Sequence, residues 1–298
     1  MKGSAFSPAH ITGFFKADLD ENKKPELQGS LGAGFSIEKG VTTTVEVEDS
    51  QFTDFKIKVS GYQPDNTQVS EFVINEFLKN FDGKYFVNVH HDIRVPVGYG
   101  LGCSAAVALS LSYALNRAFG TKFSKEQLGK IAHNAEVICR TGLGDVLASY
   151  HGGFEIRTKG GAPGIGQLKK IPTEAYSAIM ICFSPISTKQ FLKERLTSIN
   201  GLGGKMVDKL VQTNDIGQFH EFSVEFANYV NIITPKMKTV IEDLKSYGIK
   251  SGVALFGETI FTLVPKNLED KAIEILETYQ DGIIIKSKID DIGARLVS

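Results

Sequence analysis

The chain has 298 residues, with 33 Lys and Arg against 34 Asp and Glu and a net charge of -1, which removes any broad electrostatic attraction to nucleic acid or an anionic membrane and leaves a small molecule as the expected partner. The length predicts two lobes with a cleft between them. The three cysteines, Cys103, Cys139 and Cys182, form no C-x-x-C pair, and no export signal or apolar run of about 18 residues is legible, so a cytoplasmic location is expected.

From Phe6 to Val59 the sequence is rich in Thr, Val and Phe and predicts several β-strands, interrupted by a long connection from Leu19 to Gly32. Apolar residues spaced near 3.6 predict a helix within Asn66 to Phe81, and Tyr85 to Val89 alternates as a strand. The segment RVPVGYGLGCSAAVALSLSYALNRAFG passes from a glycine loop into an apolar helix of about sixteen residues, with Gly120 as its C-cap. Ser124 and Gln127 have the spacing of a capping box, opening a helix to about Cys139, and a short loop and helix carry RTGLGDVLASYHGG. TKGGAPGIGQ is the candidate boundary between lobes at 1–165 and 166–298. Beyond it a strand from Ala178 to Phe183, a mostly helical run to about Tyr247, strands in SGVALF and TIFTLV, a helix from Leu268 to Tyr279 and a strand from Gly282 to Lys286 give an α+β pattern.

The chemistry concentrates at Pro96-Val97-Gly98-Tyr99-Gly100-Leu101-Gly102-Cys103-Ser104-Ala105-Ala106. Three alternate glycines before a helix N-terminus let backbone N–H groups converge on an anion, and the positive end of the helix dipole favours phosphate. The Rossmann spacing G-x-G-x-x-G is absent, and no Lys precedes the Ser as a Walker loop requires. A glycine turn ahead of a core helix remains the plain structural alternative.

The string resembles the second motif of the GHMP kinases, P-x-G-x-G-L-G-S-S-A-A, with Cys103 in place of the first Ser. The resemblance implies a two-lobed α+β fold, with an N-terminal lobe like domain 2 of ribosomal protein S5 and a ferredoxin-like C-terminal lobe. It implies ATP, held by Pro96, Gly98, Gly100, Leu101, Gly102, Cys103, Ser104 and Ala105, and a magnesium ion held by Ser104 and Glu136. Asp145, seven residues before Gly152, resembles the family's catalytic aspartate, the base or electrostatic guide for the substrate hydroxyl, so that Asp145, Ser104 and Glu136 form the catalytic set. The structural alternatives are a solvated helix glutamate for Glu136 and an N-cap for Asp145. Cys103 reads as a spacer, although a thiol at a helix start can have a lowered pKa. KSGVALFGETIF matches the third family motif loosely, with Gly252 and Gly257 where a glycine-rich loop is expected.

The N-terminal family motif usually carries lysine where this chain has His10 in SPAHITGFF. That run, with GSLGAGFSIEKGVTT and TGLGDVLASYHGG, resembles the archaeal branch of the family that phosphorylates pantoate, a small hydroxy acid, for coenzyme A synthesis. Another small alcohol, such as mevalonate, and a silent sensor on the same fold are the alternatives. Pantoate needs a donor for its carboxylate, and Arg157, His133 and Ser30, the last from the opposite lobe, are the candidates, with His10 and Arg140 next. Surface Arg, capping or core His and turn Ser are the corresponding structural readings. A homodimer is the candidate assembly. His90 and His91 fall on opposite faces of a strand and cannot share a metal ion.

Overall fold

The computed structural model describes residues 1–20, 22–186 and 188–297. The chain opens with two long antiparallel strands, β1 (Lys2–Asp18) and β2 (Gly29–Asp49), so the connection expected as far as Gly32 ends earlier, at Gly29. Strand β3 (Asp54–Gly61), helix α1 (Gln68–Leu78) and strand β4 (Tyr85–Ile93) follow. Strand β2 pairs with β4 through Val41–Asp49, and β3 runs parallel to β4. Pro8, which cannot donate to a ladder, sits where the β1–β2 register shifts between Pro8 and Ala9.

Helix α2 (Cys103–Phe119) packs its small and branched residues against this sheet and ends on Gly120 at φ 65°. Helix α3 (Lys125–Cys139) starts on the predicted capping box, with both Ser124 and Gln127 engaged. Helix α4 (Asp145–His151) leads into β5 (Phe154–Lys159) and β6 (Gln167–Ile171). The GAPGIG stretch joins these two strands of the first sheet rather than two lobes, because β5 pairs with both β2 and β6. The first sheet is therefore seven-stranded, and β11 (Arg295–Leu296) returns from the chain's end to its edge beside β1.

The second sheet begins with β7 (Tyr176–Pro185), followed by α5 (Thr188–Thr213), α6 (Ile216–Tyr229) and α7 (Pro235–Ser246), then β8 (Gly252–Ala254), β9 (Gly257–Pro265), α8 (Glu269–Leu276) and β10 (Ile283–Lys288). Its order, β10-β7-β9-β8, places the fourth and third strands of the unit on either side of the first, as in a ferredoxin-like sheet. The two sheets share a core. Phe14 and Phe35 from the first and Phe261 from the second meet Phe219 of α6, which is fully buried. Gly13 makes room for that ring, since a Cβ there would stand 2.6 Å from Phe219. No described helix is long and apolar enough to cross a membrane.

Candidate active site

The two sheets bound a cleft of about 550 Å³, lined by Gly98 and the run from Gly100 to Ser104 on one side, by Pro185, Ile186, Leu255 and Phe256 on the other, and floored by Thr12 and Asp145. The glycine loop turns through three left-handed residues, Gly98 (φ 85°), Gly100 (φ 76°) and Gly102 (φ 58°). Its carbonyls are fastened to the protein: Gly98 accepts from Ile186 N–H, Tyr99 from the Thr259 hydroxyl and Leu101 from His10 N–H. In a trans peptide the N–H opposes the carbonyl, so the N–H groups of Tyr99, Gly100 and Gly102 point away from those anchors. The first helical bond of α2 runs from Ala106 N–H to the Gly102 carbonyl, which leaves the N–H groups of Cys103, Ser104 and Ala105 for an anion.

Leu255 N–H bonds to the Thr12 carbonyl, and a Cβ on Gly257 would stand 2.2 Å from the Tyr99 backbone. The third-motif segment is thus a buttress for the glycine loop. Phe256, at φ 66°, is a bulky residue held in the left-handed region, which is an uncommon and strained conformation.

Behind the loop stands a pair of carboxylates. Glu136 is 1% exposed, so it is not a solvated helix glutamate; it accepts from Ser104 Oγ at 3.2 Å and Thr141 Oγ1 at 2.5 Å. Burial, with Asp145 nearby and against those two bonds, pushes its pKa up to about 7. Gly142 lies between the two acids, where a Cβ would stand 2.2 Å from Glu136 Oε2 and 3.2 Å from Asp145 Oδ2.

Asp145 is the first residue of α4 with Gly144 as N-cap, so its carboxylate is not spent on capping. Oδ1 is instead held by His10 Nδ1 at 2.7 Å and by the Thr12 hydroxyl at 3.3 Å. Burial raises the Asp145 pKa, but the His10 bond and charge, with Arg157 behind them, hold it below the ordinary carboxylate range. His10 is moved the other way: burial lowers its pKa, and Glu155 and Asp145 together raise it above the usual value.

Arg157 is not a surface residue; it is 1% exposed and its Nη1 donates to Glu155. Its Nε has no partner, and the space beside Gly144 shows where that N–H lies: a Cβ there would meet Ser30 Oγ at 2.4 Å and Arg157 Nε at 2.8 Å. Ser30, Gly144, Asp145, Arg157, Phe15 and Phe256 line a small recess off the main cleft. Ser30 reaches it from β2 of the same sheet rather than from the opposite lobe, because Gly32 is in register with Arg157.

The structure therefore brings Gly98, Gly100, Leu101, Gly102, Cys103, Ser104, Asp145 and, in the adjoining recess, Ser30 and Arg157 around one cleft, with Glu136 and His10 buried directly behind it. It does not bring His133 there. That ring is 1% exposed and donates from Nε2 to the Gln28 carbonyl at 2.9 Å, so it braces the strand start leading to Ser30. Pro96 and the Ala105 side chain are buried outside the cleft lining, leaving Pro96 to shape the loop and Ala105 to offer only its N–H. Cys103 has no lowered pKa: burial, with Glu136 adding to it, pushes the thiol up to about 12. Arg140 is exposed on the cleft wall at a left-handed helix end. His91 is buried between Thr43 and Ser70 while His90 is exposed, as strand alternation requires.

Thr12, Glu155 and Phe256 were not legible as site residues. Thr12 and Glu155 did carry a signal, since each stands two residues from another polar group on a strand, His10 and Arg157 respectively, and so shares its face.

Residues 68–153 match the model of the GHMP kinases N-terminal domain. The chain is 32% identical over 278 residues to the pantoate kinase of Methanocaldococcus jannaschii, covering 91% of this chain and 96% of that one. It is 30% identical to the pantoate kinase of Thermococcus kodakarensis, covering 91% of each. Among solved structures, a phosphotransferase related to the CoA biosynthesis pathway superposes with a TM-score of 0.87 at 28% identity, covering 100% of this chain and 99% of that one.

Proposed function

The chain belongs to the GHMP kinases, and on that premise we propose that it transfers the γ-phosphoryl group of ATP to the primary hydroxyl of pantoate, giving 4-phosphopantoate for coenzyme A synthesis. The carrying observation is the unpaired, buried Arg157 Nε beside Ser30, in a recess that opens onto Asp145. A buried donor without an acceptor is costly, and one oxygen of a substrate carboxylate at the mouth of this recess, whose volume is about 10 Å³, would supply that acceptor. A carboxylate bound at Arg157 directs the rest of a short hydroxy acid towards Asp145.

Ser104 and Glu136 fit a magnesium ion brought by ATP. No described group of three or more His, Cys, Asp or Glu forms a metal cage, and magnesium, which keeps waters and phosphate oxygens as ligands, needs only one or two protein oxygens. When bound there, the ion offsets charge on the phosphates. The glycine-loop N–H groups bind and orient the same phosphates. The substrate oxygen forms a bond to the γ-phosphorus as the bond to the ADP oxygen breaks, and the hydroxyl proton leaves towards Asp145. Asp145 Oδ1 is committed to His10 and Thr12, which leaves Oδ2 to meet the hydroxyl.

The test is ADP release with pantoate, mevalonate and homoserine offered separately to the wild type and to Arg157→Lys. Lysine keeps the charge that balances Glu155 but loses the Nε–H and the planar fork. Turnover with pantoate, and a pantoate KM raised about tenfold or more in Arg157→Lys, are expected. Turnover with mevalonate alone would assign the site to another branch of the family.

A further inference from the structure

We propose that Glu155 is a positioning residue for the transfer, one buried carboxylate that sets both the arginine receiving the substrate carboxylate and the histidine holding Asp145. The role rests on the pantoate reading above.

Glu155 is fully buried. Its Oε1 accepts from Arg157 Nη1 and lies 3.0 Å from His10 Nε2, while His10 Nδ1 lies 2.7 Å from Asp145 Oδ1. One oxygen thus joins two branches: through Arg157 to the recess at Ser30, and through His10 to Asp145. Apart from Asp145, the group it is argued to position, Glu155 is the only described anion in an ion pair with His10, and it is the only one in an ion pair with Arg157.

The fold reserves space for this cluster. Strand β2 places Gly34 in register with Glu155 and Gly32 in register with Arg157. A Cβ at Gly34 would stand 2.6 Å from His10 Nε2, and one at Gly32 would stand 2.8 Å from Arg157 Nη2. Two glycines in a strand weaken it, and here a side chain at either would press first on the β1 backbone, at the Ile11 or Phe14 carbonyl, and then on the ion cluster.

A purely structural pair fits less well. A buried ion pair offsets its desolvation only where hydrogen bonds satisfy its remaining lone pairs and protons. Here Glu155 Oε2 and Arg157 Nε are both without partners, so the pair fixes orientation while leaving a donor facing the recess.

The experiment is steady-state kinetics of Glu155→Gln, which keeps shape and removes charge, with thermal melting to establish folding. The pantoate KM should rise about tenfold to a hundredfold and kcat should fall as Asp145 loses its brace, with the ATP KM within about twofold of wild type. Lost stability alone lowers the active fraction and leaves the pantoate KM unmoved. If Glu155→Gln does not fold, Glu155→Asp, which retains the charge one methylene short, should fold and show a smaller rise in pantoate KM. An unchanged pantoate KM in whichever variant folds, or a rise matched by ATP, overturns the role of Glu155 alone. A wild-type enzyme inactive on pantoate overturns the pantoate reading and this role with it.

Discussion

Glu136 shows how burial at a single residue becomes a property of the folded state. Its carboxyl, with pKa near 7 in the native protein against an ordinary 4.5, keeps its proton after the unfolded chain has lost it. The native state then binds more protons between those values, so stability falls as pH rises through that window, by roughly 3 kcal/mol. His10, raised above 6.5, stabilises fully below that value and loses its contribution as pH climbs through its native pKa. Asp145, lowered, contributes above 3.8 and loses that contribution only in acid. Unfolding of Glu136→Gln without nucleotide should therefore be flatter than wild type between about pH 4.5 and 7, while both should still weaken above about pH 6.5. Equal slopes for the two proteins across the lower window would show that Glu136 ionises normally.

At the scale of elements, the glycine loop and the turn between β8 and β9 act as one unit. A Cβ at Gly100 would stand 2.2 Å from the Leu255 carbonyl, and Gly100 is left-handed at φ 76°. Gly120 is also left-handed, at φ 65°, but nothing lies within 4 Å of its Cβ position. Gly120→Ala should cost about 1 kcal/mol of backbone strain and leave ATP affinity unchanged, whereas Gly100→Ala must also separate the two loops. Calorimetry should give an ATP affinity at least about tenfold weaker for Gly100→Ala, an effect of about 1.4 kcal/mol. Equal ATP affinity in the two variants would mean that the loop does not hold phosphate.

Across the whole molecule, a core running from one sheet to the other makes the lobes interdependent. Phe219 is fully buried and touches rings from β1, β2, β5 and β9. Phe219→Ala should destabilise by about 3–5 kcal/mol, and far-UV and near-UV signals should lose structure in one shared transition. Two separated transitions, with only one moved by the substitution, would show lobes that fold independently.

Local sequence determined the glycine loop, most helices and the caps of α2 and α3, because these depend on residues close in the chain: Gly98, Gly100 and Gly102 before α2, Gly120 after it, and the Ser124–Gln127 box. The motif spacing likewise marked Ser104, Glu136 and Asp145 as candidates, and the fold places Ser104 and Asp145 on the cleft and Glu136 buried behind it. Strand partners were beyond its reach. The GAPGIG turn reads as a boundary in sequence, yet it is a connection inside the first sheet, since β5 finds its partner in β2, more than a hundred residues earlier. Contacts of that range decide the rest of the site. Only folding brings His10 within hydrogen-bond reach of Asp145 and Glu155, 135 and 145 positions away, and aims His133 at Gln28 instead of the cleft. Periodicity gives the face a side chain occupies but not what lies opposite, and burial among distant charges turns these ordinary residues into an ordered site.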